Sequence, residues 1–298
     1  MQIGSFRAEV VMEIPTLGFP PSLVFEHADS AAMRDLESKL PAASYVATPS
    51  TLLLSHHSWL VDTGRHRILI DPCVGNLKPR RVIEAYNMLD TPWLERLAAA
   101  GATPAQVDYV FCTHLHVDHC GWNTRLENGR WVPTFPNAQY LFSRAEHDFW
   151  SAHRQDTSPV AIEVNYGVYE DSVRPVLESG QALLLDGPER LAECLTLESG
   201  AGHTPGHMIG MLDAGSEGMV FAGDALHHPL QIYRPEWNTA GCMQQEEART
   251  TRRRLLNLCA DRGWLLAAAH FRAPYAVHIE RDGVSGYRVA KPASPAAA

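Results

Sequence analysis

The sequence predicts an α/β (mixed α+β) fold, one domain over residues 1–290 made of two similar αβ halves. Three observations carry that expectation. Apolar runs of strand length alternate with stretches of helical spacing. The second half repeats the style of the first, with no linker or composition break between them. Several strand-like runs end on a histidine or an aspartate, the position where αβ folds gather their chemistry.

The elements follow in order. Val10 to Ile14 alternates as a strand, and Pro15, Gly18, Pro20 and Pro21 are expected to break it. Ser30 to Leu40 has helical spacing behind a serine. Ser50 to Val61 and Arg67 to Ile70 read as strands joined by a hairpin at Asp62 to His66, and Asp71-Pro72 closes the second. Thr91 to Ala100 reads as a helix stopped by Gly101, and Thr103 to Gln106 as a capped turn. Val107 to Cys112 is a strand running straight into Thr113-His114. Gln139 to Phe142 is strand-like, and Ser143 to Ala152 is a helix with Ser143 as N-cap and Glu146 at the capping-box position. In the second half, Ala182 to Leu185, Leu195 to Glu198, Ile209 to Asp213, Met219 to Ala222 and Trp264 to Ala269 read as strands, and Glu246 to Asp261 as a helix. The Pro/Ala-rich tail, residues 291–298, is expected to be disordered.

Composition narrows the function classes. At 298 residues and 45% hydrophobic, the chain can bury a sizeable core. A net charge of -9 and a pI near 5.9 argue against nucleic acid or an anionic membrane as partner. The basic run Arg252-Arg253-Arg254 falls in a helical stretch and reads as a solvated face. The cysteines, Cys73, Cys112, Cys120, Cys194, Cys242 and Cys259, form no CxxC pair, which fits reduced, buried thiols in a cytoplasmic protein. No apolar stretch approaches the roughly 18 residues of a membrane span.

The chemistry concentrates in Thr113-His114-Leu115-His116-Val117-Asp118-His119. A loop leaving a strand end can aim alternate side chains into one cleft, and imidazole with carboxylate suits a borderline divalent ion. His203, in Gly202-His203-Thr204-Pro205-Gly206-His207, Asp224, in Ala222-Gly223-Asp224-Ala225, and His270 each follow a later strand. Together with His114, His116, Asp118 and His119 they suffice for two ions, with one carboxylate shared.

On these residues the sequence resembles the metallo-β-lactamase fold superfamily, from about Ser50 to His270. The resemblance implies a four-layer αββα sandwich carrying two divalent metal ions, zinc above all, at one edge of its packed sheets. It assigns His114, His116 and His203 to one ion, Asp118, His119 and His270 to the other, and Asp224 to a bridging position. It also implies a metal-bridging hydroxide as nucleophile, oriented by Asp118. The text from His119 to Trp150, with Gly121-Trp122-Asn123 and Pro136-Asn137-Ala138, is most similar to the N-acyl-homoserine lactonase and methyl parathion hydrolase group. A small lactone or ester is therefore the expected substrate, and a homodimer the assembly the group implies. Lactonases of that group carry tyrosine three residues after the bridging aspartate. Here that position is His227, which looks more like phosphotriester-hydrolysing members and is the second candidate catalytic residue. An aryl phosphotriester hydrolase, a glyoxalase II-type thioesterase and a ligand-binding regulator stay open as alternatives. His207 and His228 read as supporting residues, and His27, His56, His57, His66, His147, His153 and His278 as ordinary ones. Trp122, Phe149, Trp150, Tyr233 and Trp237 are candidates for an apolar substrate pocket.

Overall fold

Alternation along the strands decides the layering. In Thr51–Asp62, Trp59 and Val61 point to one side and Leu60 to the other. Ile68 and Ile70 oppose Leu69 in Arg67–Ile70, and Phe111 opposes Val110 in Tyr109–Phe111. One set packs against Leu195, Leu197, Met219 and Phe221 of a second sheet, and the other packs against helices. This period-2 division of apolar side chains makes both faces of each sheet buried. The result in this computed structural model is a helix–sheet–sheet–helix sandwich. The structure describes residues 1–25, 28, 30–41, 43–46, 50–283 and 286–290. The tail 291–298 and His27 lie outside the described residues.

The first sheet runs in the order Gln2–Ile3, Phe6–Phe19, Thr51–Asp62, Arg67–Ile70, Tyr109–Phe111, Gln139–Ser143, Ala182–Leu185, with Tyr45–Val46 also paired to Thr51–Asp62. Its last four strands are parallel. The second sheet runs Glu189–Leu191, Leu195–Ser199, Met208–Asp213, Gly218–Phe221, Leu265–Ala267, Ala276–Asp282, Gly286–Val289, with Gly218–Phe221 and Leu265–Ala267 parallel. The helices Trp93–Ala100 and Arg144–His153 contribute Trp93, Leu97 and Trp150 to the core over the first sheet. Gln245–Arg262 contributes Leu255, Leu256 and Cys259 over the second.

Several expectations are corrected. The first strand does not stop at Pro15: Phe6–Phe19 continues through it, because register shifts between Met12 and Ile14 and between Ile14 and Leu17 place the proline at an irregularity that needs no ladder N–H. A hairpin, Thr124–Glu127 with Arg130–Pro133, was not expected. Its turn is Asn128-Gly129, both at positive φ, and that dipeptide is the local signal for such a turn. Arg252 is not on a solvated face. It is fully buried, and its guanidinium donates to Ala225 O, Pro235 O and Asn238 Oδ1 at 2.9, 2.7 and 3.0 Å. Among the described residues no helix is long and apolar enough to cross a membrane.

Candidate metal centre

The site forms where the carboxyl ends of the parallel strands of both sheets meet. Asp71 follows Arg67–Ile70 with φ 50° and turns its carboxylate under the neighbouring loop. Its Oδ1 accepts from Thr113 N at 2.7 Å and its Oδ2 from Thr113 Oγ1 at 2.9 Å. The histidine-rich loop is thus pinned at its first residue. Asp71 Oδ2 also lies 3.1 Å from His119 Nδ1, which leaves His119 Nε2 facing the centre.

A second carboxylate ties this loop to the one carrying His203. Glu146 was expected to close a capping box, but it turns inward. Its Oε1 accepts from Leu115 N and Trp150 Nε1 at 3.1 and 2.7 Å, and its Oε2 from Thr204 Oγ1 and Gly206 N at 2.7 and 3.1 Å. Only Ser143 caps the helix, accepting from Glu146 N at 3.4 Å. Gly223 lets the turn carrying Asp224 pack closely against Thr113 and His207. It has φ +50°, and a Cβ there would fall 2.6 Å from His207 Nε2 and from Thr113 Oγ1. His207 Nε2 accepts from Asp224 N at 3.1 Å, the supporting role expected of it. His228 is likewise structural, with Nε2 2.8 Å from Ser44 O.

The seven sequence-predicted ligands come together. His116 Nδ1 lies 2.9 Å from His114 Nε2 and 3.0 Å from His203 Nε2. Each ring nitrogen carries one lone pair or one hydrogen, so His116 Nδ1 cannot satisfy both neighbours. His270 Nε2 is 3.2 Å from Asp224 Oδ1 and 3.6 Å from Asp118 Oδ2, while His270 Nδ1 is held by Ser55 O at 3.1 Å. Donor atoms of His114, His116, His203 and Asp224 all lie within 4.8 Å of one another, as do those of His119, Asp224 and His270. His116 Nε2, His119 Nδ1 and Nε2 and Asp224 Oδ1 are buried without a hydrogen-bond partner.

The electrostatics fit cations. Burial holds His114 and His203 well below the usual histidine range and His116 at about 4, so these rings are neutral and their lone pairs free to ligate. Burial opposes the charge on Asp118 and Asp224, yet the surrounding histidines, His119 first, hold both carboxyls below their ordinary value. Burial likewise opposes protonation of His119 and His270, but the same carboxylates, Asp224 first, outweigh it and raise both. The two buried carboxylates draw positive charge into the centre, as protons on His119 and His270, and divalent ions would supply it in their place. The donor set of imidazole and carboxylate fits zinc or a similar borderline ion.

The cavity over this cluster holds about 180 Å³ and is walled by Phe19, Leu54, Ile83, Val117 and Val164 beside His227 and Asp118. None of the five aromatics proposed for a pocket lines it. Trp122 stacks on Trp93 at 5.0 Å and Trp150 sits edge-on to His116 at 5.2 Å, both as core. Phe149 stacks on His153, and Tyr233 and Trp237 belong to the core over the second sheet. His56 is the reverse case. Read as an ordinary strand residue, it lines the cavity with Nε2 3.3 Å from Asp118 Oδ2, because the strand Thr51–Asp62 passes under the cluster. Tyr86, also on the cavity wall, carried no sequence signal.

The sequence profile described as Metallo-beta-lactamase superfamily matches residues 52–270. No curated protein matches the chain. Among solved structures, the hydrolase AbOPH of the beta lactamase superfamily is similar at 26% identity and TM-score 0.79, over 98% of this chain and 96% of that one. AidC, a dizinc quorum-quenching lactonase, is similar in fold at 19% identity and TM-score 0.76, over 99% and 97%. So is a probable metal-dependent hydrolase from Staphylococcus aureus, at 18% identity and TM-score 0.76, over 99% and 100%.

Proposed function

The chain belongs to the metallo-β-lactamase superfamily, and from that premise we propose that it is a dinuclear metal-dependent hydrolase acting on a small lactone or ester. His114, His116 and His203 would hold one ion and Asp118, His119 and His270 the other, with Asp224 shared. The observation that carries this reading is the division of Asp224. Its Oδ2 faces His203 Nε2 at 3.3 Å and His114 Nε2 at 3.8 Å, while its Oδ1 faces His119 Nε2 at 3.4 Å and His270 Nε2 at 3.2 Å. AidC, a dizinc lactonase in complex with an acylated homoserine product, supports the lactone class.

Bound ions supply Lewis acidity, activating water and polarising a carbonyl or phosphoryl oxygen. The chain's own residues do the rest. Asp118 faces the cavity as an acceptor and orients the attacking water through its hydrogen. His227 stands on the cavity wall with Nε2 3.2 Å from Asp224 Oδ2, and Gln231 Oε1 fixes its backbone N–H at 2.7 Å. From there its ring can pass a proton to the leaving oxygen. The apolar wall excludes bulk water and receives the substrate's apolar part. A net charge of -9 suits a small neutral substrate rather than nucleic acid or an anionic membrane.

His227, in place of the lactonase tyrosine, favours an aryl phosphotriester as the second reading. One panel separates the classes: acyl-homoserine lactones, δ-lactones, p-nitrophenyl esters, aryl phosphotriesters and a glutathione thioester, each with and without chelator. The expected outcome is about two equivalents of transition metal and chelator-sensitive turnover of a lactone or ester. Turnover that survives chelation, or binding with no turnover, would overturn the reading.

A further inference from the structure

Asp118 has a neighbour pair that the proposed ligand set leaves unused. The Tyr86 hydroxyl lies 2.6 Å from His56 Nε2 and 3.3 Å from Asp118 Oδ2, and His56 Nε2 is itself 3.3 Å from that oxygen. Both side chains are buried, at 4% and 2% exposure, and both face the cavity. Their rings meet edge-on at 5.1 Å, and His56 also abuts His270 at 4.8 Å. The pair comes from two separate elements. His56 rides on Thr51–Asp62, and Tyr86 ends the single turn Glu84–Tyr86 in the connection before Trp93–Ala100.

The protons among these atoms can be placed. A carboxylate only accepts, and tyrosine has one hydrogen to give. His56 Nδ1 is buried with no hydrogen-bond partner. A hydrogen there would be an unsatisfied buried donor, whereas a bare lone pair is the lesser loss. The histidine hydrogen therefore sits on Nε2 and points at the Tyr86 oxygen. The Tyr86 hydrogen is then directed to Asp118 Oδ2.

We propose that Tyr86 is a positioning residue for Asp118, the middle of a one-directional chain from His56 Nε2–H to the Tyr86 oxygen and from Tyr86 O–H to Asp118 Oδ2. The phenol holds Oδ2 and so fixes the carboxylate's rotation, turning Oδ1 toward His119 Nε2, 3.7 Å away. The inference rests on the reading of Asp118 as a metal ligand. Outer hydrogen bonds of this kind orient a ligand and set its basicity, and their loss typically costs about 10–100-fold in affinity or activity.

The test compares wild type, Tyr86→Phe and His56→Gln, each loaded with Co2+ alone. Tyr86→Phe keeps the ring and removes only the oxygen. It should retain wild-type metal content and melting behaviour, show an altered cobalt absorption spectrum, and lose about 10–100-fold in kcat with KM within about twofold. His56→Gln keeps an N–H donor and should retain a spectrum close to wild type. A Tyr86→Phe spectrum and kcat equal to wild type would overturn the proposal. So would a raised KM at unchanged kcat, which would make the phenol a substrate contact, or a His56→Gln spectrum as altered as that of Tyr86→Phe. A wild type holding less than one equivalent of cobalt would overturn the metal reading itself, whatever the variants do.

Discussion

Asp224 shows what one residue decides. Its two oxygens face different histidine groups, so its removal takes away the shared partner of both. Asp224→Ala and His114→Ala are expected to lose metal and to drop turnover by at least about 10²-fold, as expected when a group stabilising transition-state charge is deleted. Their far-UV dichroism should stay native, since the two sheets are held together by apolar packing between their facing strands. Metal analysis with turnover checks both, and wild-type kcat in either variant refutes the ligand assignment. At this scale the candidate ligands were legible because histidine and aspartate at strand ends announce themselves. Asp71, Glu146, His56 and Tyr86 were not, because supporting the cluster requires only a polar contact from the right direction.

The irregular strand Phe6–Phe19 shows the same at the scale of an element. Between Met12 and Ile14 its register slips, and Glu13 turns into the protein. Glu13 accepts from Val74 N at 2.7 Å, Gly75 N at 3.2 Å and Trp122 Nε1 at 2.6 Å, anchoring the loop after Asp71. Burial raises its carboxyl from 4.5 to about 7 against those hydrogen bonds. The folded state then keeps a proton that the unfolded state has released, so this contribution to stability is complete below about pH 4.5 and is lost as pH rises toward 7. Glu13→Gln cannot titrate. Its stability relative to wild type should rise by about 3 kcal/mol across that window. Paired denaturant titrations at saturating metal from pH 4.5 to 7.5 measure this, and a difference flat with pH would sink it. The bulge was illegible because a proline at position 15 reads locally as a stop, and only pairing with Thr51–Asp62 shows that the sheet continues.

At the scale of the whole molecule, the candidate metal centre joins the two sheets. His114, His116, Asp118 and His119 follow a strand of the first sheet, and His203, Asp224 and His270 follow strands of the second. Ions bound across that junction stabilise the folded state by mass action, by about 4 kcal/mol at a thousandfold excess over the dissociation constant. Chelation should therefore lower Tm by about 10 °C, and added zinc should restore it. Differential scanning fluorimetry with and without chelator checks this. An unchanged Tm would mean that the folded state binds no ion there and would overturn the metal reading.

Patterns within a few residues of chain were enough to predict most of the central strands and longer helices and to single out the seven candidate ligands, and resemblance to a family implied the sandwich. The strands Thr124–Glu127, Arg130–Pro133, Ala276–Asp282 and Gly286–Val289 were missed. Strand alternation, capping residues and the spacing of His114 to His119 are local, and they report local geometry directly. Only the tertiary structure decided which distant groups lean on those ligands. It buried Arg252 under Ala225 and turned Glu146 from a helix cap into a tie between two loops. It took the tryptophans out of the cavity, and brought His56 and Tyr86 to Asp118. Those contacts join residues far apart in the chain, and their partners are set by how the sheets stack rather than by any neighbour in sequence.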